Sequence, residues 1–224
     1  MQTGMEFWMN TEERKVTDAF HDLYYNGPQE SGGNLYLDTY WMGTPCQKCP
    51  LDLWIYQEIL FEMKPDLIIE TGTHSGGSAL FLAHLCDIMG HGKVVTIDLV
   101  ERPPRPTHER IIYLDGSSSD PDVIAKARAF GGPDDNILVI LDSDHSEQHV
   151  LQELELLSPF VKVGGYLIVE DSNINGHPTF PAFGPGPFEA IEKFLASNPG
   201  FVVDVEREKF LMTFNPSGYL KRIA

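Results

Sequence analysis

The chain has 224 residues, 42% of them hydrophobic, and a formal net charge of -17 from 33 acidic and 16 basic side chains. There is apolar material for an ordinary packed domain. The acid excess leaves no basic stripe for phosphate, which argues against nucleic acid and against an anionic membrane surface. No apolar run is long enough to span a membrane, residues 1–15 lack a secretory leader, and three Cys make no disulfide framework, so a cytoplasmic protein without membrane insertion is expected.

Residues 12–24 carry Val16, Phe20 and Leu23 at helical spacing. Residues 25–49 read as a long Gly- and aromatic-rich loop, a length usual for a lid. Its C-x-x-C, Cys46 and Cys49, has no second pair to complete a zinc site and reads as two small packed residues. Pro50 suits the first turn of a helix running to residue 63. Strands are then expected at 66–70, 93–98, 110–115, 136–142 and 165–171. Helices are expected at 76–89, 120–130, 147–161 and 188–197, with a Pro/Gly/Phe loop at 172–187. "FVVDVE" and "KFLMTFN", joined by "REK", read as a closing hairpin. Alternating strands and helices define an α/β, Rossmann-like fold: a mostly parallel seven-stranded sheet, helices on both faces, and a C-terminal antiparallel hairpin. Residues 65–224 form the core of one domain, with 1–64 as its lid or cap.

The first strand runs into "ETGTHSGGSAL", residues 70–80. Gly72 and Gly76 let the chain turn tightly against a ligand, at the start of a helix with free N–H groups. Thr73, Ser75 and Ser78 are the polar side chains of this turn and join it as candidate contacts. The spacing is not G-x-G-x-x-G, and Glu70 ahead of it suits positive charge better than pyrophosphate. Asp98, ending the second strand, can accept both hydroxyls of a ribose. Asp115 and Ser117, after the third, are placed to flank an adenine. Adenosine with a cationic, amino-acid end fits this set, so S-adenosylmethionine is expected rather than NAD.

Two further apolar runs, "NILVILDSDHS" and "GYLIVEDSN", end on Asp142 and on Glu170 and Asp171, with no Lys or Arg beside them in sequence. Carboxylates crowded at adjacent strand ends repel one another unless a cation intervenes. A hard divalent ion, Mg²⁺, is the expected partner of Asp142, Glu170 and Asp171. His145 follows Asp142 closely and is suited to take a proton from a metal-bound hydroxyl. His74, His149, His177 and Asp144 have weaker claims. Tyr36, Tyr40, Trp41, Phe180 and Phe183 are candidate apolar walls for an acceptor.

With these residues in view, the chain resembles the cephalosporin hydroxylase family, whose members include S-adenosylmethionine-dependent O-methyltransferases. The resemblance runs from "YWMGTPCQKCPLDLWIYQEIL" through "ETGTHSGGSA", "LDSDHS" and "LIVEDSN" to "GPGPFEAIEKFL" and "REKFLMTFNPSGYLKR". More distantly it is similar to macrolide-sugar and catechol O-methyltransferases. The resemblance implies a class I methyltransferase fold, metal ligands at Asp142, Glu170 and Asp171, and a base at His145. It implies cofactor contacts at Glu70, Gly72, Asp98 and near Asp142. Iron oxygenase chemistry, which the family name suggests, would need a two-His-one-carboxylate triad, and no H-x-D occurs. The expected activity is Mg²⁺-dependent methyl transfer to a hydroxyl of a sugar, polyol or glycosylated natural product, by a homo-oligomer. The alternatives are a non-catalytic S-adenosylmethionine-binding partner and an NAD(P)-linked oxidoreductase.

Overall fold

The computed structural model describes residues 9–27, 33–100 and 104–224. Residues 28–32 of the expected lid and the opening stretch of the expected cap lie outside them. Helix α1 (Thr11–Asn26) starts at Asn10, whose side chain accepts from the N–H groups of Glu12 and Glu13 while Glu13 reaches back to the Asn10 N–H, a capping box. A 3₁₀ turn (Leu35–Asp38) and a small hairpin, β1 (Tyr40–Trp41) with β2 (Thr44–Pro45), lead to α2 (Pro50–Met63).

The alternating part follows as β3 (Leu67–Thr71), α3 (Gly77–Met89), β4 (Val94–Asp98), β5 (Ile111–Asp115), α4 (Pro121–Arg128), β6 (Ile137–Leu141), α5 (Glu147–Leu157), β7 (Tyr166–Val169), α6 (Pro187–Ser197), β8 (Phe201–Val203) and β9 (Tyr219–Arg222). Seven strands form one sheet in the order β5-β4-β3-β6-β7-β9-β8. The pairings from β5 to β7 are parallel, and β9 runs antiparallel between β7 and β8.

Strand parity sorts the core into two layers. Leu67, Ile69, Val139 and Leu167 face α4, α5 and α6, whereas Ile68, Leu138, Ile140 and Ile168 face α2 and α3. Both layers are buried, which is why these strands read as continuous apolar runs.

The sequence places the closing hairpin wrongly in one respect. β8 pairs with β9, not with "KFLMTFN". Met212 and Phe214 of that stretch pack with Cys49, among Tyr24, Tyr25, Tyr36 and Leu51. Buried Asp52 replaces the missing ladder bonds: its carboxylate accepts from Thr213 Oγ1 at 2.5 Å and from the Phe214 N–H at 2.8 Å. An apolar segment with its backbone tied to a side chain has no use for a strand partner.

α1 docks through His21, which is 1% exposed, stacks on Phe214 at 5.5 Å between ring centroids, and accepts from Asn173 Nδ2 at 2.9 Å. Burial lowers the His21 pKa from 6.5 to about 4. The unfolded chain therefore binds a proton that the folded one resists, and stability falls as pH drops from 6.5 towards 4. The loss is about 3 kcal/mol over that window. His21→Gln keeps an acceptor for Asn173 and removes the titration. Urea unfolding at neutral pH and near pH 4 should show the wild type losing about 3 kcal/mol more than the variant; equal losses would remove His21 from the acid limb.

Candidate active site

Register brings the site together. Thr71 lies beside Leu141 and Leu141 beside Val169, so Gly72, Asp142 and Glu170 follow side by side at the carboxyl ends of β3, β6 and β7. Strand order reverses at β3, the place where ligands gather on such sheets. A cavity of about 430 Å³ opens there, within the range of small-molecule sites.

One wall is the turn after β3. Gly72 has φ 85°, and a Cβ on it would lie 1.6 Å from the Asp142 carbonyl oxygen, so only glycine fits. Asp98 Oδ2 accepts from the His74 N–H at 2.7 Å, and Thr73 Oγ1 meets Thr96 Oγ1 at 2.8 Å. Gly76 caps α3 with no side-chain hydrogen bond, which leaves the helix N–H groups available. Gly72, Thr73, Ser75, Ser78 and Asp98 line the cavity, as does Asp142.

Other expected contacts sit elsewhere. Gly76 does not line the cavity. Glu70 is fully buried behind the wall, where it accepts from Thr96 Oγ1 at 2.6 Å, and its Oε1 has no hydrogen-bond partner among the described residues. Burial raises its pKa against the pull of Lys48. Asp115 and Ser117 also stand off the cavity. The Asp115 side chain is 72% exposed, and Gly116 at φ 146° turns the chain so that Gly116 and Ser118 line the space instead.

Of the polar cluster at this end, the sequence singles out only His149. Ser118 Oγ lies 3.0 Å from His149 Nε2, and Ser143 Oγ donates to buried Glu153 at 2.7 Å. His149 Nε2 also lies 3.5 Å from Glu153 Oε1, and this carboxylate raises the His149 pKa.

The acid side holds the main departure from expectation. The strand-end carboxylates do have a basic partner: Lys48, from the middle of the C-x-x-C. Its Nζ donates to Asp142 Oδ2 and, at 2.6 Å, to Glu170 Oε2. The Lys48 side chain is 5% exposed. Burial works against its charge, but Asp142, Glu170 and Glu70 outweigh it and hold the pKa well above the usual lysine range. Burial raises the pKa of both Asp142 and Glu170, and the ammonium pulls both back. Tyr56 OH donates to the other oxygen of Glu170 at 2.7 Å.

Glu170 thus accepts a hydrogen bond on each oxygen and is not in the group that converges most closely. That group is Asp142, His145 and Asp171, one ligand atom from each lying within 4.8 Å of the others. Asp171 reaches it through a left-handed backbone, φ 53°, a strain characteristic of functional positions. His145 Nε2 lies 3.2 Å from Asp171 Oδ2. Two carboxylates and an imidazole suit a divalent cation. Asp142, Glu170 and Asp171 against one ammonium leave two negative charges for it to balance.

Of the expected aromatic walls, Tyr36 lines the cavity, stacked at 4.8 Å on Tyr25, which also lines it. Tyr40 is 59% exposed, Trp41 packs edge-on against Phe81, and Phe180 and Phe183 contact each other; none of these four lines the cavity.

This sheet order, with a glycine turn after its central strand and an acid ending the next, is that of the class I methyltransferases. Residues 34–223 match the family model described as rhamnosyl O-methyltransferase/CmcI, and the chain belongs to that family. It is 42% identical over 214 residues to a rhamnosyl O-methyltransferase of Mycobacterium tuberculosis, covering 92% of this chain and 85% of that one. It is 41% identical over 213 residues to the protein of the same name from Mycobacterium leprae, covering 92% and 90%. The apo structure of CmcI superposes with a TM-score of 0.67 at 22% identity, over 91% of this chain and 84% of that one. A CmcI structure with Mg and SAM gives 0.64 at 20% identity over the same shares, a likeness of fold. The chain is an S-adenosylmethionine-dependent O-methyltransferase.

Gly72→Ala meets both a forbidden φ and the Asp142 carbonyl, whereas Gly164, at φ 88°, has nothing within 4 Å of an added Cβ. Gly164→Ala should cost about 1 kcal/mol, and Gly72→Ala more than about 2 kcal/mol together with cofactor binding. Denaturant unfolding and calorimetry with S-adenosylhomocysteine check this. Equal costs would mean that the approach to Asp142 does not matter.

Proposed function

We propose that this chain transfers the methyl group of S-adenosylmethionine to a hydroxyl of a rhamnosyl unit or a closely related sugar, with Mg²⁺ held by Asp142 and Asp171. The observation that carries this reading is the convergence of Asp142, His145 and Asp171 on the cavity walled by the Gly72 turn, in a chain 42% identical to a rhamnosyl O-methyltransferase. When bound, the cofactor supplies an electrophilic methyl group and the cation supplies charge that lowers the pKa of a coordinated hydroxyl.

The chain's own residues do the rest. Asp98 would take the ribose hydroxyls, and the free N–H groups at the start of α3 would take the cofactor's carboxylate. The His145 imidazole would receive the acceptor proton at the ring nitrogen that Asp171 does not hold, while Asp171, 3.2 Å from Nε2, fixes the ring and stabilises the imidazolium. Tyr25 and Tyr36 form an apolar wall for the sugar. Glu170, beside them, holds Lys48. Alignment of the two reactants contributes a large share of the rate.

Turnover of labelled cofactor with rhamnosides, in Mg²⁺ and in EDTA, tests the whole reading. Activity should require the ion, and full activity in EDTA would leave a purely base-driven reaction. His145→Ala should lower turnover by about 10²–10⁴ and leave Mn²⁺ affinity intact. Collapse of Mn²⁺ binding would make His145 a ligand instead of a base.

Asp98→Ala should weaken cofactor binding by about 1.5–3 kcal/mol, the scale of hydrogen bonds to a charged group. An unchanged calorimetric affinity in the folded variant would overturn the ribose assignment.

A further inference from the structure

A buried ammonium is expensive unless its partners are fixed. Lys48 has two, Asp142 and Glu170, and takes one oxygen from each. The residues just before it, Pro45, Cys46 and Gln47, line the cofactor cavity. They lie hard against the start of α3: a Cβ on Gly77 would sit 2.2 Å from the Pro45 carbonyl oxygen. One end of this short stretch is thus cofactor wall, and the other is a cation among the carboxylates. Lys48 also donates its backbone N–H to Thr39 Oγ1 at 3.1 Å, which ties the stretch to the β1–β2 hairpin.

We propose that Lys48 is a positioning residue with two opposed effects: it pins the 45–48 wall against the cofactor, and it lowers the site's affinity for a divalent cation to that of one weakly held ion. This deepens the functional reading above and rests on it. The wall is pinned because Lys48 cannot leave its carboxylates without stranding buried charge. Cation affinity is lowered because a unit positive charge sits against both Asp142 and Glu170 and takes up one oxygen of each. Such a centre exchanges its ion and acceptor readily and still keeps the cofactor wall in place.

Lys48→Met separates the two effects. Its Mn²⁺ affinity, followed by electron paramagnetic resonance, should tighten by on the order of tenfold, the scale of one removed charge at this range. Its calorimetric affinity for S-adenosylhomocysteine should fall roughly fivefold or more as the wall loosens. A merely structural role would weaken both, and that result, or an unchanged Mn²⁺ affinity, would overturn the proposal. Lys48→Gln should show the same opposed pair. A variant that fails to fold in EDTA should be recovered by Mn²⁺, which supplies the missing charge; no recovery would also overturn the proposal. The wild type is measured first. Absence of both Mn²⁺ binding and turnover there defeats the functional reading itself, whereas binding and turnover with an unopposed response in the variants defeats only the role of Lys48.

Discussion

Two carboxylates and an ammonium buried together at the end of a sheet are stable only as a set. Removing Lys48 from between Asp142 and Glu170 would leave like charges side by side in a low-dielectric space, where repulsion is several times its value in water. A second tier of uncharged donors and acceptors holds the set in place. Tyr56 OH donates to Glu170, Asn215 Nδ2 donates to Tyr56 OH at 3.3 Å, and Asn215 Oδ1 accepts from the Asp171 N–H at 3.3 Å. Tyr219 OH donates to Asp52 at 2.8 Å, and Asp52 holds the 213–214 segment. Each member contributes a modest amount alone, and the network sets the geometry in which Asp171 can be strained.

Much of this was legible in the sequence, because parity is. Once "DLIIE", "NILVILD" and "LIVED" are strands of one parallel sheet, alternation puts Glu70, Asp142 and Glu170 on the same face as Ile68, Ile140 and Ile168, towards α2 and α3. Clustering of the acids then follows from strand order alone. In the main sheet the strand without a sequence signal is β9, "YLKR": its Lys221 and Arg222 interrupt the apolar run, and its length of four residues gives periodicity little to work on. The neighbouring "KFLMTFN" is more apolar and was preferred. Its burial comes from packing between α1 and α2, a tertiary fact with no local signature.

Lys48 was hidden for a different reason. It is 94 residues from Asp142 and 122 from Glu170, so no window of sequence shows them as neighbours. The two Cys around it drew attention as possible ligands. Both are buried and free, and burial raises both thiol pKa values, so neither is poised to act as a thiolate. The charged contacts of the motif are made by Lys48, one of the two residues between them. A smaller displacement occurs after β5, where the left-handed turn at Gly116 brings Ser118 into the cavity in place of Asp115 and Ser117. Loop residue types predict that a polar contact will be made, whereas backbone dihedrals decide which residue makes it.

The cofactor side and the acid side meet in the backbone itself. The Asp142 N–H donates to the Thr71 carbonyl at 3.1 Å, and the Asp142 carbonyl lies where a Cβ of Gly72 would be. The turn that walls the cavity therefore rests directly on Asp142, which is both a candidate ligand and a partner of Lys48. Lys48 closes the circuit from the other side, since its own chain is the opposite wall. A shift of the Gly72 turn moves Asp142, a shift of Asp142 moves Lys48, and a shift of Lys48 moves Pro45 to Gln47. Both reactants of a methyl transfer must be aligned to within a fraction of an ångström. In this fold the two walls of the cavity are joined by one closed loop of backbone contact and buried charge.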